Sequence, residues 1–484
     1  MNFASTEFAA FFITVYGLYW LLSRRWQNRL LLGASYVFYG AWDWKFLGLI
    51  GLSTVLDFFL GKWIYATSAP DKRKSLLLVS LAVNLGMLGI FKYFNFFTGS
   101  LVSFLAPLGW QPSWPLLSIV LPVGISFYTF QTLSYTIDIY RRKLAPVDRL
   151  EDFALFVAFF PQLVAGPIER ASRFLPQVTS ERRFVFKQMT RGCFLILLGL
   201  FKKVAISDGI AQSVDTIYNS ASFLEPSFLG SGTIGTLDII LATYLFAVQI
   251  YCDFSGYSDI ARGLAKLLGF DLMINFNTPY LAVNPSDFWR RWHISLSAWL
   301  RDYLYIPLGG SRQGDRTTYR NLMCTMVLGG LWHGAAWNFI YWGFYQGSIL
   351  CIHRWIAGAK PSVRPVVTLT DKIRRVCITV GFFHVTCYGW LLFRATSWTQ
   401  IVAFSKRLFL HPVWSPPTLP MIPLSAWVGI VVVLFIDLAQ YTSGTSVFYR
   451  LWPTYRRAAL YASLLVVFLM GLANTSNTFI YFQF

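Results

Sequence analysis

Two histidines in this sequence have neighbours suited to proton-transfer chemistry. His293 lies in the run Asp287-Phe-Trp-Arg-Arg-Trp-His-Ile-Ser-Leu-Ser-Ala-Trp-Leu-Arg-Asp-Tyr303. His333 follows 40 positions later, in Gly329-Gly-Leu-Trp-His-Gly-Ala-Ala-Trp-Asn338. An imidazole of pKa about 6.5 can take a proton from a hydroxyl at neutral pH. A guanidinium holds phosphate through charge-assisted hydrogen bonds. Read as one helix, the first run puts Arg290, His293, Ser297 and Arg301 on a polar stripe, because residues three and four apart share a face. Trp292, Leu296 and Trp299 cover another side. The competing reading is a helix lying flat on a membrane, with aromatics in lipid and arginines on phosphates. A surface helix that borders a cytoplasmic opening satisfies both.

His333 stands inside the apolar run 324–341. Gly329, Gly330, Gly334, Ala335 and Ala336 flank it, and residues that small let a backbone or a ligand approach closely. A lone histidine in such a run is otherwise a hydrogen-bonded packing residue. The segment between the two histidines is short and basic, so both can converge from one helical hairpin. His333 and His293 are therefore the candidate catalytic pair. Arg290, Arg291, Ser297, Arg301, Trp332 and Asn338 are the candidate substrate-binding residues. His353 abuts Arg354, His384 is isolated in 376–393, and His411 opens a proline-rich loop; each reads as structural.

Further polar clusters occur at 251–259, 161–170 and 124–131. Asp253 and Asp259 are candidate intramembrane carboxylates. They suit salt bridges to Arg290, Arg291 or Arg301, or the orientation of a histidine. Gly166-Pro167 should break a helix into a re-entrant turn.

The elements that position these residues follow from composition. The chain has 484 residues, 55% hydrophobic, 18% aromatic and only 13% charged, where soluble proteins carry about 25% charged residues. Its mean hydropathy is +0.51. A bilayer span needs about 20 mostly apolar residues. The runs 8–23, 30–42, 46–60, 75–91, 116–135, 153–165, 192–200, 236–251, 324–341, 376–393, 422–438 and 460–472 meet or approach that need. Several are short or interrupted by Gly or Pro, which suits helices buried by other helices. The expectation is an all-α integral membrane protein with about eleven spans and a few re-entrant or surface helices, forming one domain over residues 1–484.

The net charge is +19, from 41 basic and 22 acidic residues. A nucleic-acid binder would gather that charge on a soluble face. Here it sits in short loops at 24–29, 71–74, 141–149, 169–191, 312–320 and 354–375, which the positive-inside rule makes cytoplasmic. The loop 411–423 has no Lys, Arg, Asp or Glu and reads as external. The run 8–23 lacks a preceding basic region and a cleavage site, so it reads as a retained span. Both termini are expected outside. The six cysteines form no CxxC pair and read as buried small hydrophobes, with neither disulfide framework nor metal site. Walker A, GxGxxG, HExxH and GxSxG motifs are absent, which leaves ATP-driven pumping and triad hydrolysis without support.

Four motifs carry a family resemblance. FWRRWHISLSAWLRDYLYIPLGGSR (288–312), GGLWHGAAWNF (329–339), CDFSGYSDIA (252–261) and FFPQLVAGPI (159–168) resemble the membrane-bound O-acyltransferase family, and in particular its bacterial branch that serves exported polysaccharides. The likeness runs over roughly residues 30–394. It implies a ring of membrane helices around a thin, tunnelled centre, with a donor entering from the cytoplasm and an acceptor from outside. It implies that His333 is catalytic and His293 its partner. Acetyl-CoA or another cytoplasmic thioester is the implied donor, with no tightly bound cofactor and no metal. The implied setting is the bacterial inner membrane, beside a periplasmic or membrane-anchored acetyltransferase and polysaccharide secretion machinery. His333 would act as general base on a hydroxyl, with His293 or Asn338 stabilising the oxyanion or orienting the acceptor. The acceptor polymer is left open. A transporter or flippase for a lipid or polysaccharide also fits broken helices around a polar centre. So does a scaffold that anchors a synthase.

Overall fold

The computed structural model describes residues 2–110, 117, 120–164, 166–224, 234–358 and 368–473. All regular structure among them is helical, as the composition predicts. Five helical segments are long and apolar enough to cross a membrane: Arg24–Ala66, Pro70–Leu108, Thr236–Leu267, Leu369–Arg394 and Leu424–Ser443. Among the described residues, the other apolar runs form shorter or more polar helices. The predicted placement of the C-terminal tail lies outside the described residues. All six cysteines are free, but Cys193, Cys324 and Cys377 are exposed rather than buried. The surface of such a protein is itself apolar, so a small hydrophobe need not be inside it.

The described chain divides into two compact units. The first comprises residues 2–196 and 257–273. Its helices are α1 (Thr6–Tyr19), α2 (Arg24–Asp43), α3 (Leu47–Ala66), α4 (Pro70–Leu88), α5 (Phe94–Leu105), α6 (Ile125–Tyr140), α7 (Leu150–Ala158), α8 (Phe160–Leu163), α9 (Ala171–Thr179) and most of α10 (Phe186–Leu200). A buried carboxylate ties three of them. Asp57 on α3 accepts from the Ser80 hydroxyl at 2.7 Å and the Asn84 amide at 2.8 Å, both on α4. Ser80 in turn lies 3.0 Å from Thr136 on α6. In an apolar interior each such group must find its partner inside the protein. The break predicted at Gly166-Pro167 is present: α8 ends at Leu163 and regular helix resumes at Ala171.

The second unit comprises residues 197–256 and 274–473 of the described chain. It holds α11 (Asp208–Tyr218), most of α12 (Thr236–Leu267), α13 (Pro285–Trp289), α14 (Ile294–Leu300), α15 (Asp315–His333), α16 (Trp337–Ala357), α17 (Leu369–Arg394), α18 (Trp398–Phe409), α19 (Leu424–Ser443) and α20 (Thr454–Gly471). A π-helical turn over Phe201–Ser207 precedes α11. It carries Lys203, whose ammonium bridges Asp208 at 2.9 Å and Asp253 of α12 at 2.7 Å, all three buried. Asp253 therefore pairs with Lys203 rather than with an arginine of the 290–301 run. Asp259, in the first unit, pairs with Arg262 one helical turn on.

Helices α15 and α16 form a hairpin that turns just after His333, inside the run 324–341 read as continuous. It is not the hairpin expected from the sequence, whose arms were to carry His293 and His333 on either side of the basic segment. Only Gly334, Ala335 and Ala336 connect them, and Arg354 near the end of α16 pairs with Asp315 at the start of α15. The two backbones touch. A Cβ on Gly330 would lie 2.2 Å from the Phe339 carbonyl oxygen, and one on Gly343 would lie 2.5 Å from that of Met326. The small residues read from the sequence thus serve helix packing here. Gly343→Ala is expected to cost about 1–3 kcal/mol, since a backbone neighbour cannot swing aside. Gly381→Ala, where no atom lies within 4 Å of a Cβ, should cost nothing. Thermal unfolding in detergent separates the two, and equal melting of both variants and the parent would refute the close contact.

Candidate active site

The segment that carries His293 is not one helix. Asn284 caps α13 by accepting from the Asp287 N–H at 2.8 Å, and Pro285 occupies the first position, where its missing donor costs nothing. The helix stops at Trp289. After a turn, His293 adopts φ +42° and ψ +53°, and α14 starts at Ile294. A second π-helical turn, Arg301–Tyr305, follows α14. The continuous polar stripe read from the sequence is thus broken at its histidine. Its spacing suits a helix, but tertiary contacts override it.

Left-handed backbone at a non-glycine residue costs on the order of 1–3 kcal/mol and persists only where its surroundings fix it. Here they do. Ile294 N–H donates to the Asn275 carbonyl at 3.0 Å. The Asn275 side-chain oxygen accepts from the Ser295 N–H at 3.2 Å and from its hydroxyl at 2.7 Å. Asn277 N–H donates to the Arg291 carbonyl at 2.9 Å. Asn275 and its neighbours therefore clamp both flanks of His293.

His293 is 0% exposed and His333 6%. Their ring centroids lie 6.4 Å apart. Aromatic rings surround both. Phe254 on α12 meets His293 edge-on at 4.7 Å. Trp332 lies 5.9 Å from His293 and 5.1 Å from His333. Trp342 and Phe393 approach His333 at 5.2 and 5.4 Å. The Lys203–Asp253 bridge fixes α12 one residue before Phe254. The His293 segment lies outside the five long apolar helices. Burial, and then the like charge of His333, hold its imidazole well below the ordinary histidine pKa. A neutral ring offers one N–H donor and one acceptor.

His333 lines a recess of about 350 Å³. Arg290, Ser297 and Arg301 line it too, with Trp289, Gly329 and Trp342. Arg301 is 61% exposed and paired with Asp302. The recess thus joins a buried imidazole to two guanidinium groups along a largely apolar wall. Three other predicted residues are placed elsewhere. Arg291 pairs with Asp287 at 2.9 Å and reaches Thr278 at 3.2 Å, and it does not line the recess. The Asn338 amide donates to the Phe393 carbonyl at 3.1 Å, and Asn338 does not line the recess. Trp332 packs against the histidines instead. His384 bonds the carbonyl of Val380 in its own helix, as a structural histidine would. Trp342, Phe393, Phe254 and Asn275 escaped the sequence reading. Lys203 left a signal, a charge inside an apolar run. The described residues offer no cluster of His, Cys, Asp and Glu suited to a metal.

The chain is similar to known proteins over the region that carries this geometry. The profile of the MBOAT, or membrane-bound O-acyltransferase, family matches residues 149–397. That range contains both histidines, Asn275 and the recess. The chain is 40% identical over 419 residues to the "Probable alginate O-acetylase AlgI" of Azotobacter vinelandii, covering 86% of this chain and 79% of that one. It is 39% identical over 442 residues to the protein of the same description from Pseudomonas aeruginosa, covering 91% and 81%. It is 37% identical over 388 residues to the peptidoglycan O-acetyltransferase of Helicobacter pylori, covering 75% and 70%.

The clamp at His293 is open to test. Asn275→Ala removes an acceptor shared by two donors and leaves a buried N–H unpaired, so a loss of about 1–3 kcal/mol is expected. Asn275→Asp keeps the acceptor oxygen and should retain more stability. Thermal unfolding of the two variants beside the parent protein checks this. An alanine variant as stable as the parent would show that other contacts hold the break.

Proposed function

The chain belongs to the membrane-bound O-acyltransferase family, and from that premise we propose that His333 and His293 move an acetyl group from a cytoplasmic thioester toward hydroxyls of an extracytoplasmic polysaccharide. The observation that carries the reading is the buried histidine pair, 6.4 Å between ring centroids, with His333 at the wall of a recess that also holds Arg290 and Arg301.

The chemistry follows from that arrangement. In this scheme the acceptor oxygen sits in the recess within about 2.6–3.2 Å of a His333 ring nitrogen. His333 takes the proton of an acceptor hydroxyl. The oxygen attacks the thioester carbonyl, the new C–O bond forms, and the C–S bond breaks. The thiolate leaves with the proton that His333 held. Neutral His293 offers an N–H to the oxyanion. Arg290 and Arg301 suit the phosphates of acetyl-CoA, the proposed donor, and no tightly held cofactor enters the scheme. The basic segment around Arg312, Arg316 and Arg320 supports a reading in which the mouth of the recess faces the cytoplasmic side of the inner membrane and the termini lie outside. The finer architecture proposed with it is about eleven crossings around a central tunnel. The acetyl group then passes to the polymer, with a periplasmic or membrane-anchored acetyltransferase and the secretion machinery as partners. The relatives' names make alginate and peptidoglycan the first polymers to try.

The purified protein should release free coenzyme A from acetyl-CoA when an acceptor is supplied. His333→Ala should lower that release by about 10²–10⁴-fold, the usual contribution of a positioned general base. Polymer acetylation in cells with equal protein should fall in parallel. A transporter would release no coenzyme A in the first assay. A scaffold would keep full acetylation in the second with both histidines replaced. Either outcome overturns the reading.

A further inference from the structure

A second recess, of about 630 Å³, lies in the first unit between α2, α3 and the start of α7. One end is basic. Arg25 and Arg29 lie in the first two turns of α2, and Arg149 precedes α7. Glu151 answers part of that charge, bridging Arg29 at 3.0 Å and Arg149 at 3.3 Å. Three guanidinium groups thus face one carboxylate, and Arg25 has no ion pair among the described residues.

The other end is apolar. Leu32 and Tyr36 on α2 and Val55 on α3 form its wall. Thr54 adds a buried hydroxyl with no hydrogen-bond partner among the described residues. From Arg25 to Tyr36 the helix rises roughly 16 Å, about half of a 30 Å hydrocarbon core. The level of the basic end is marked by Trp26. Trp26 is 57% exposed and its ring carries the Arg29 guanidinium 4.9 Å above it, a placement usual for tryptophan at the membrane–water boundary. Helices α2 and α3 belong to one of the five long apolar segments. With that segment crossing the bilayer, the groove would start among headgroups and run inward.

We propose that this groove is a binding site for an anionic phospholipid, with its phosphate on Arg25, Arg29 and Arg149 and an acyl chain along Leu32, Tyr36 and Val55. A free phosphate would use only the basic end. A zwitterionic lipid brings its own cation and leaves the excess arginine charge unanswered. The combination of a basic mouth on the cytoplasmic side and an apolar trough selects a lipid with net negative charge. The site is independent of the histidine chemistry and stands whether or not the acyl-transfer reading survives.

The test is thermal unfolding of the delipidated full chain in neutral detergent, titrated with phosphatidylglycerol, phosphatidylcholine or inorganic phosphate. Phosphatidylglycerol should raise the melting temperature and the other two should not. Arg25→Gln should shift the midpoint of the phosphatidylglycerol titration roughly five-fold upward, the usual weight of one basic residue near an anionic headgroup. Gly51 lines the deep end, and no atom lies within 4 Å of a Cβ placed there. Gly51→Phe, whose Cβ meets open space, should place its ring in the trough and abolish the lipid shift at unchanged basal stability. Equal stabilisation by phosphatidylcholine, or by phosphate alone, would overturn the proposal. So would a phosphatidylglycerol shift that survives both variants.

Discussion

The contact between α15 and α16 sets the geometry on which the rest of the second unit depends. Two helices that approach through glycine place main chain against main chain, with no side chain to adjust the distance. The hairpin is therefore rigid where it matters. His333 is the last residue of α15 and inherits that fixed position. Trp342, next to Gly343, is delivered to its ring by the same contact. Phe393 completes the enclosure from α17, held at its carbonyl by Asn338 of α16. Trp332, Trp342 and Phe393 thus trace back to the hairpin or to a helix tied to it.

His293 is placed by a different means. Main-chain and amide hydrogen bonds fix a backbone conformation that its own sequence disfavours, and a stretch of α12 packs an aromatic ring against it. That stretch is secured by a lysine bridging two carboxylates inside the protein. Removing one partner of such a cluster strands a charge, at a cost of about 3–5 kcal/mol. Charge, hydrogen bonding and packing thus converge on one ring from three directions. The convergence accounts for a polar cluster in an interior where unpaired polar groups are expensive.

Much of this was legible in the sequence. The helical class and the break at Gly166-Pro167 follow from composition and from Gly and Pro placement, whereas the hairpin that turns after His333 was not read from the sequence. Arg290, Ser297, Arg301 and His333 do line one recess. The break at His293 was not legible, because residues spaced three and four apart read as a helix whether or not a distant asparagine interrupts it. Arg291 and Asn338 looked like ligand-binding groups by type and position. Nothing local says that Asp287 and the Phe393 carbonyl claim them. The glycines announced a close approach but not its partner. Gly330 meets the backbone of α16, whereas Gly329 faces the recess.

The aromatic enclosure of His333 bears on fidelity. A general base beside a thioester is also a catalyst of hydrolysis, and water is the most abundant nucleophile in the cell. Rings on three sides of the imidazole leave the recess as its approach, and under the proposed reaction a bound donor fills that recess and displaces its water. Under the proposed reaction, a donor that arrives before its acceptor meets a base with little water to activate. The donor is then spared. Selectivity between a sugar hydroxyl and water would in that case reside in dryness, with no moving part required.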